Sequence, residues 1–156
     1  EEEEVNSFKQ EIDPGKGPES LIYEDDEEDF WLFEGCLREL GLAVTAVQLA
    51  SLEKIEEKIN TFNPENSIVF VDLNLGGQNG LKIFKELLEP RNFLSCVLSS
   101  SDNPKEIEAC LSGGFWFYSS KEINVDRQKQ FFESVYNLFS LGKVSPARLM
   151  KLRAQQ

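Results

Sequence analysis

The chain is 156 residues long, enough for one domain around a single core. Its formal net charge of −12 argues against nucleic-acid binding by the domain itself, because phosphate contacts need Lys and Arg. The absence of histidine excludes His-based triads, phosphohistidine and most zinc sites in this chain, and leaves oxygen-ligand chemistry open.

Hydrophobic residues make up 40% of the chain and twelve are Phe, which suits a packed core, while the 28% charged fraction suits a soluble surface. No apolar stretch approaches a membrane span and no basic segment leads into an apolar one, so neither membrane contact nor secretion is expected. Cys36, Cys96 and Cys110 are odd in number and lack C-x-x-C spacing, which reads as reduced, buried thiols in a cytoplasmic protein. The first residue is Glu rather than Met, as in a fragment.

Residues 1–19 carry seven acids and two bases, net −5, with few large apolar residues; a flexible acidic arm is expected there. The first strand is Leu21-Ile22-Tyr23, followed by a helix over 27–40 with Phe30, Phe33, Leu37 and Leu40 at helical spacing and Gly41 as its stop. Ala43–Val47 is a second strand. Ser51 caps a helix carrying Leu52, Ile55, Ile59 and Phe62 on one face, which Pro64 ends. Ile68–Val71 is a buried third strand closed by Asp72, and a Gly-rich loop leads to a helix over about 80–89 with Leu81, Phe84 and Leu87 or Leu88 inward. Phe93–Leu98 is the fourth strand. A helix follows from Asn103-Pro104, with Ile107, Cys110 and Leu111 on one side, and ends at Gly113-Gly114. Phe115–Tyr118 is the fifth strand. The last helix, about 125–141, carries Phe131, Val135 and Leu138 inward, leaving Phe132 and Phe139 on an exposed side as a partner surface. Strands alternating with helices of this length predict an α/β fold, a doubly wound (βα)5 with a parallel five-stranded sheet covered on both faces. Residues 20–141 form the folded unit, and residues 142–156, with Lys143, Arg148, Lys151 and Arg153, form a basic tail or linker.

Each predicted strand end offers polar groups of one kind. Glu24-Asp25-Asp26 follows the first strand, Asp72 ends the third, Ser99-Ser100-Ser101 follows the fourth and Ser119-Ser120-Lys121 follows the fifth. In open parallel sheets, ligands and chemistry collect at that end. Acid pair, acid, hydroxyl and ammonium together make a site for a divalent cation and a phosphoryl group. Three converging carboxylates repel, so at least one pKa is expected to rise without a cation. Mg²⁺, with oxygen ligands and several waters, removes that conflict.

These residues resemble the receiver domain of two-component response regulators, a flavodoxin-like fold, over roughly residues 20–141. The resemblance implies that Asp72 is the phosphoacceptor and that Glu24, Asp25, Asp72 and the backbone carbonyl of Asn74 hold Mg²⁺. It implies that Ser99 is the switch hydroxyl, Tyr118 the switch aromatic and Lys121 the family's lysine, 22 residues after Ser99. Gly41, Gly80 and Gly114 also sit where the family commonly has glycine. Two departures stand out. Glu122 follows Lys121 where the family has a cis proline, and a non-proline residue strongly disfavours cis, so that loop is expected to run differently. Gly76 stands where the family often has proline, which bears on loop rigidity and not on the acidic site.

From its strand alone, Asp72 reads first as a turn former, and the assembled pattern reverses that reading. The run Glu24 to Asp29 is by itself a solvated helix start favoured by the helix dipole. Position at a strand end favours metal ligation for Glu24 and Asp25, leaving Asp26 to Asp29 as caps and surface charge. Phe115, Trp116 and Phe117 read as core and sheet-edge residues.

The leading expectation is a signalling module rather than an enzyme acting on other molecules. It would take a phosphoryl group from a histidine kinase or histidine phosphotransfer protein and then alter its affinity for a downstream protein partner. A homodimer through the fourth helix, fifth strand and fifth helix is a further expectation of the resemblance. The alternative is a degenerate receiver that binds partners without phosphate. A haloacid-dehalogenase-type phosphohydrolase needs a second Asp two residues after the nucleophile, and Asn74 there cannot serve. A flavin-binding domain is disfavoured, because no phosphate loop follows the first strand.

Overall fold

The computed structural model describes residues 18–46, 51–75, 78–121 and 124–142. The acidic arm up to residue 17, the basic tail from residue 143, Val47, Gly76 and Glu122 lie outside them. The elements are β1 Glu19–Tyr23, α1 Glu27–Glu39, β2 Ala43–Ala46, α2 Leu52–Ile59 and β3 Ser67–Asp72. They continue with α3 starting at Gly80–Ile83, β4 Leu94–Ser99, α4 Pro104–Ser112, β5 Phe117–Ser120 and α5 Val125–Gly142. The strands form one parallel sheet in the order β2-β1-β3-β4-β5. This is the doubly wound (βα)5 architecture expected from the alternating pattern.

The central strands alternate their side chains between two cores, as the period of two demands. Leu21 and Tyr23 of β1 and Val69 and Val71 of β3 pack with Ile55 and Ile59 of α2, Ile83 and Phe84 of α3 and Cys110 of α4. Ile22, Ile68 and Phe70 face the other way, onto Phe33 and Leu37 of α1 and Phe132, Val135 and Phe139 of α5. Burial of one such Leu, Ile or Phe contributes about 1.5–3 kcal/mol, which is why β3, buried along its whole length, anchors both layers. Cys36, Cys96 and Cys110 are buried and in no disulfide, as expected.

The helix caps follow the sequence signals. Ser51 accepts from Lys54 N–H, and Asn103 accepts from Lys105 N–H with Pro104 at the first helical position. Four expectations are corrected. Phe132 and Phe139 are buried and Leu138 is 48% exposed, so the inward stripe of α5 runs through Gln128, Phe132, Val135 and Phe139. Phe131, Phe132 and Val135 make two stripes equally apolar in sequence. Phe132 is drawn in by edge-on contacts with Phe70 at 5.0 Å and Phe33 at 5.8 Å. Leu81 is exposed, because Gly80 takes the inward position of the first turn of α3. Leu87 and Leu88 are both buried with Phe84, the i, i+3, i+4 spacing of one helix face, and α3 continues as a π turn over Phe84–Leu88. β5 starts at Phe117, two residues later than expected, because Phe115 stacks on Phe84 at 3.9 Å and Trp116 N–H donates to Ser95 O at 2.8 Å.

Candidate functional site

The sheet order reverses between β1 and β3, and the loops leaving these neighbouring strands open a crevice at their C-terminal ends. Tyr23 of β1 pairs with Val71 of β3, so the next residues, Glu24 and Asp72, emerge side by side. Asp26 then caps α1, its Oδ1 accepting from Asp29 N–H at 2.9 Å. That cap turns the chain so that the first helical turn rises over the crevice. On the other side of β3, Asp72 pairs with Leu98 and Ser99 with Ser120. Lys121 N–H donates to Ser99 O at 2.6 Å, which delivers the lysine side chain to the same edge.

Lys121 is the hub of the site. Its ammonium lies 2.6 Å from Glu24 Oε1, 2.8 Å from Asp29 Oδ2 and 2.9 Å from Asp72 Oδ2. An ammonium has three donors, and three carboxylates surround this one. Glu24 and Asp72 are almost wholly buried, at 1% and 5% side-chain exposure, whereas Asp29 is 36% exposed. Burial works against the Lys121 charge, but Asp29, Glu24 and Asp72 outweigh it and raise its pKa above the ordinary lysine range. Glu24 is the carboxyl group that yields to crowding: burial, then the neighbouring Asp72, push its pKa up from 4.5 to about 8, against the pull of Lys121.

Asp29 corrects the expectation that Asp26 to Asp29 serve only as caps and surface charge. Asp26 does cap the helix, but the Asp29 carboxylate reaches Lys121 across 92 residues of chain. In sequence Asp29 is one of six consecutive acids, Glu24 to Asp29, and only its place in the first turn of α1 singles it out.

Glu24, Asp25 and Asp72 each offer an oxygen within 4.8 Å of the other two. Ligand oxygens of an octahedral cation at about 2.1 Å stand roughly 3 to 4.2 Å apart, so a small closure suffices. Glu24 Oε1 is buried and ion-paired to Lys121 at 2.6 Å. A hard all-oxygen donor set of three carboxylates, with Glu24 and Asp72 buried, fits Mg²⁺. Asn74 lies two residues beyond Asp72, in a two-residue strand paired to Asn79. Gly80 closes this loop: its N–H donates to Leu73 O at 3.4 Å, and a Cβ there would collide with Asp72 O.

Ser99 is buried at the end of β4, its Oγ accepting from Ser101 N–H at 3.1 Å and standing 3.4 Å from Glu106 Oε1. Tyr118 is half-buried against the α2–α3–α4 core. Its hydroxyl donates to Ser101 O at 2.7 Å and lies 3.4 Å from the same Glu106 oxygen. The two residues therefore meet around one loop and one carboxylate. Glu106 is a second residue missed from sequence, because one Glu on an exposed helix start carries no distinguishing signal.

No family model matches the sequence, and no curated protein does. Solved structures do. A response regulator receiver domain from Rhodospirillum rubrum matches at 24% identity and a TM-score of 0.60, over 75% of this chain and 94% of that one. The receiver domain of the Francisella response regulator 1452 matches at 20% identity and a TM-score of 0.63, over 82% of this chain and all of that one. The BeF3-activated N-terminal receiver domain of RstA from Klebsiella pneumoniae matches at 20% identity and a TM-score of 0.64, over 78% and 97%. The chain has the receiver-domain fold, and at these identities the likeness concerns the backbone. No helix among the described residues is long and apolar enough to cross a membrane.

Proposed function

We propose that this chain is a cytoplasmic response-regulator receiver module that accepts a phosphoryl group on Asp72 and in doing so changes its affinity for a downstream protein. The observation that carries the reading is the Lys121 ammonium 2.9 Å from a buried Asp72 that also belongs to a three-carboxylate cluster. A nucleophilic carboxylate, a fixed cation beside it and an oxygen cage for a second cation are the parts phosphoryl transfer needs.

In the proposed reaction, an Asp72 carboxylate oxygen attacks the phosphorus of a phosphohistidine on a histidine kinase or histidine phosphotransfer protein. The P–O bond forms as the P–N bond breaks, and the imidazole leaves with the electron pair and takes a proton from solvent. Mg²⁺ held by Glu24, Asp25 and Asp72, with the Asn74 carbonyl, would supply neutralising charge for the phosphoryl oxygens. Lys121 pairs with the new acyl phosphate. The Ser99 hydroxyl hydrogen-bonds one of its oxygens, leaving Ser101 and Glu106. Tyr118, tied to the same loop, then changes the surface of α4, β5 and α5, through which a homodimer would also form.

The experiment is intact-mass measurement after incubation with a small-molecule phosphodonor, with and without Mg²⁺. A magnesium-dependent gain of one phosphate supports the reading, and an unchanged mass overturns it. A second reading, a receiver that binds partners without phosphate, draws on two facts. Lys121 already satisfies three carboxylates, and Tyr118 is already anchored to Ser101 O. An unchanged mass would favour that module.

A further inference from the structure

Two sets of carboxylates overlap in the crevice without coinciding. The ammonium of Lys121 touches Glu24, Asp29 and Asp72. The oxygens close enough to share one cation belong to Glu24, Asp25 and Asp72. Glu24 and Asp72 are claimed twice, Asp25 belongs to the cation set alone, and Asp29 belongs to the lysine set alone.

A divalent cation entering this cage takes over oxygens on which the ammonium now rests, and the two positive charges repel. Lys121 must give up Glu24 and share Asp72. Without a carboxylate of its own, the ammonium would either hold Glu24 against the cation or swing into solvent, away from Asp72. Asp29 is the carboxylate it can keep. It sits on the first turn of α1, is part-exposed, and meets Lys121 Nζ at 2.8 Å. We infer that Asp29 is a positioning residue: it retains the Lys121 ammonium beside Asp72 when a divalent cation claims Glu24. This rests on the phosphoacceptor reading for its purpose, though not for its geometry.

The test is a double-mutant cycle read by Mg²⁺ titration followed by NMR, independent of any phosphate transfer. Asp29→Asn preserves the size of the side chain and the Asp26 cap, which uses the backbone N–H of residue 29. Removing one negative charge weakens Mg²⁺ binding through the field alone, by a similar factor whether or not Lys121 is present. Releasing the ammonium onto Glu24 weakens it further, and only when Lys121 is present. Asp29→Asn should therefore lower Mg²⁺ affinity about tenfold in the native background and about twofold in Lys121→Met, with Lys121→Gln as the second background should Met not fold. Asp29→Glu should recover most of the loss.

Equal losses in both backgrounds, or no loss in either, would overturn the assignment. A second arm follows mass gain from a small-molecule phosphodonor at saturating Mg²⁺, where Asp29→Asn should slow uptake several-fold and Asp29→Glu restore it. If the native protein takes no phosphate while the magnesium cycle keeps its excess, the phosphoacceptor reading falls and the role of Asp29 stands. If phosphate is taken up and the cycle shows no excess, Asp29 falls alone.

Discussion

The carbonyl oxygen of Asp72 would collide with a Cβ on Gly80, so the residue that ends β3 and the residue that starts α3 are in backbone contact. A side chain at residue 80 would also press on Val71 Cγ1 at 2.9 Å and Leu73 Cα at 3.0 Å. None of these atoms is the far end of a flexible group. Gly80→Ala should cost about 2 kcal/mol or more through overpacking and should displace the Asp72 backbone. Denaturant unfolding would measure the first effect, and slower phosphate uptake by the folded fraction the second.

Asp72 closes β3 beside Glu24 and the Lys121 ammonium. Asp72→Asn should abolish the mass gain from a phosphodonor while leaving the fold intact, because Asn fills the same volume. Circular dichroism checks the fold and intact mass the modification. Equal labelling of the mutant would move the phosphoacceptor elsewhere.

Glu24 gives a pH dependence with a definite sign. Its folded pKa of about 8 lies above the ordinary 4.5, so between these values the native state holds a proton the unfolded state has lost. Stability from this group is greatest below the lower value and falls as pH rises through the window. In metal-free buffer the melting temperature should therefore drop between about pH 5 and about pH 8 relative to Glu24→Gln, which has no such proton to lose. Mg²⁺, which binds the ionised form, should flatten the drop. Thermal melts of both proteins with and without chelator measure it.

An acyl phosphate on Asp72 brings a charge of about −1.5 to −2 and strong acceptors toward Ser99 and Lys121. Ser99→Ala should still accept phosphate, yet lose most of the chemical-shift response along residues 103–139 seen in the native protein. It should also destabilise by about 1 kcal/mol, because Ser101 N–H loses its side-chain acceptor. A mutant whose shifts follow those of the native protein would mean that Tyr118 responds by another route.

The layer architecture was legible in the sequence because alternation of short apolar runs with capped, periodic helices is a local property, and local signals such as Ser51 and Asn103 kept their roles. What depended on distant partners was not legible. Two apolar stripes of α5 were equivalent until Phe33 and Phe70 selected Phe132. In the crevice, Glu24, Asp25, Asp72 and Lys121 stood out because each follows a strand. Asp29 and Glu106 lie on helices among other acids, and only the folded register of α1 and α4 against β5 gives them meaning.

On the proposed function, the alternation along the sheet also divides the molecule into a listening part and a silent part. Tyr118 packs among the side chains shared by α2, α3 and α4, while its neighbour Phe117 points to the side that α1 and α5 cover. On the proposed switch, a reorientation of Tyr118 would act first at the β5 edge of the sheet, where α4 and α5 flank it, and β3 and β4, buried throughout, separate that edge from β1 and β2. A protein gripping α4, β5 and α5 would meet a changed surface after modification, and one gripping the β2 edge would not. Readout would thus belong to one edge of a single sheet.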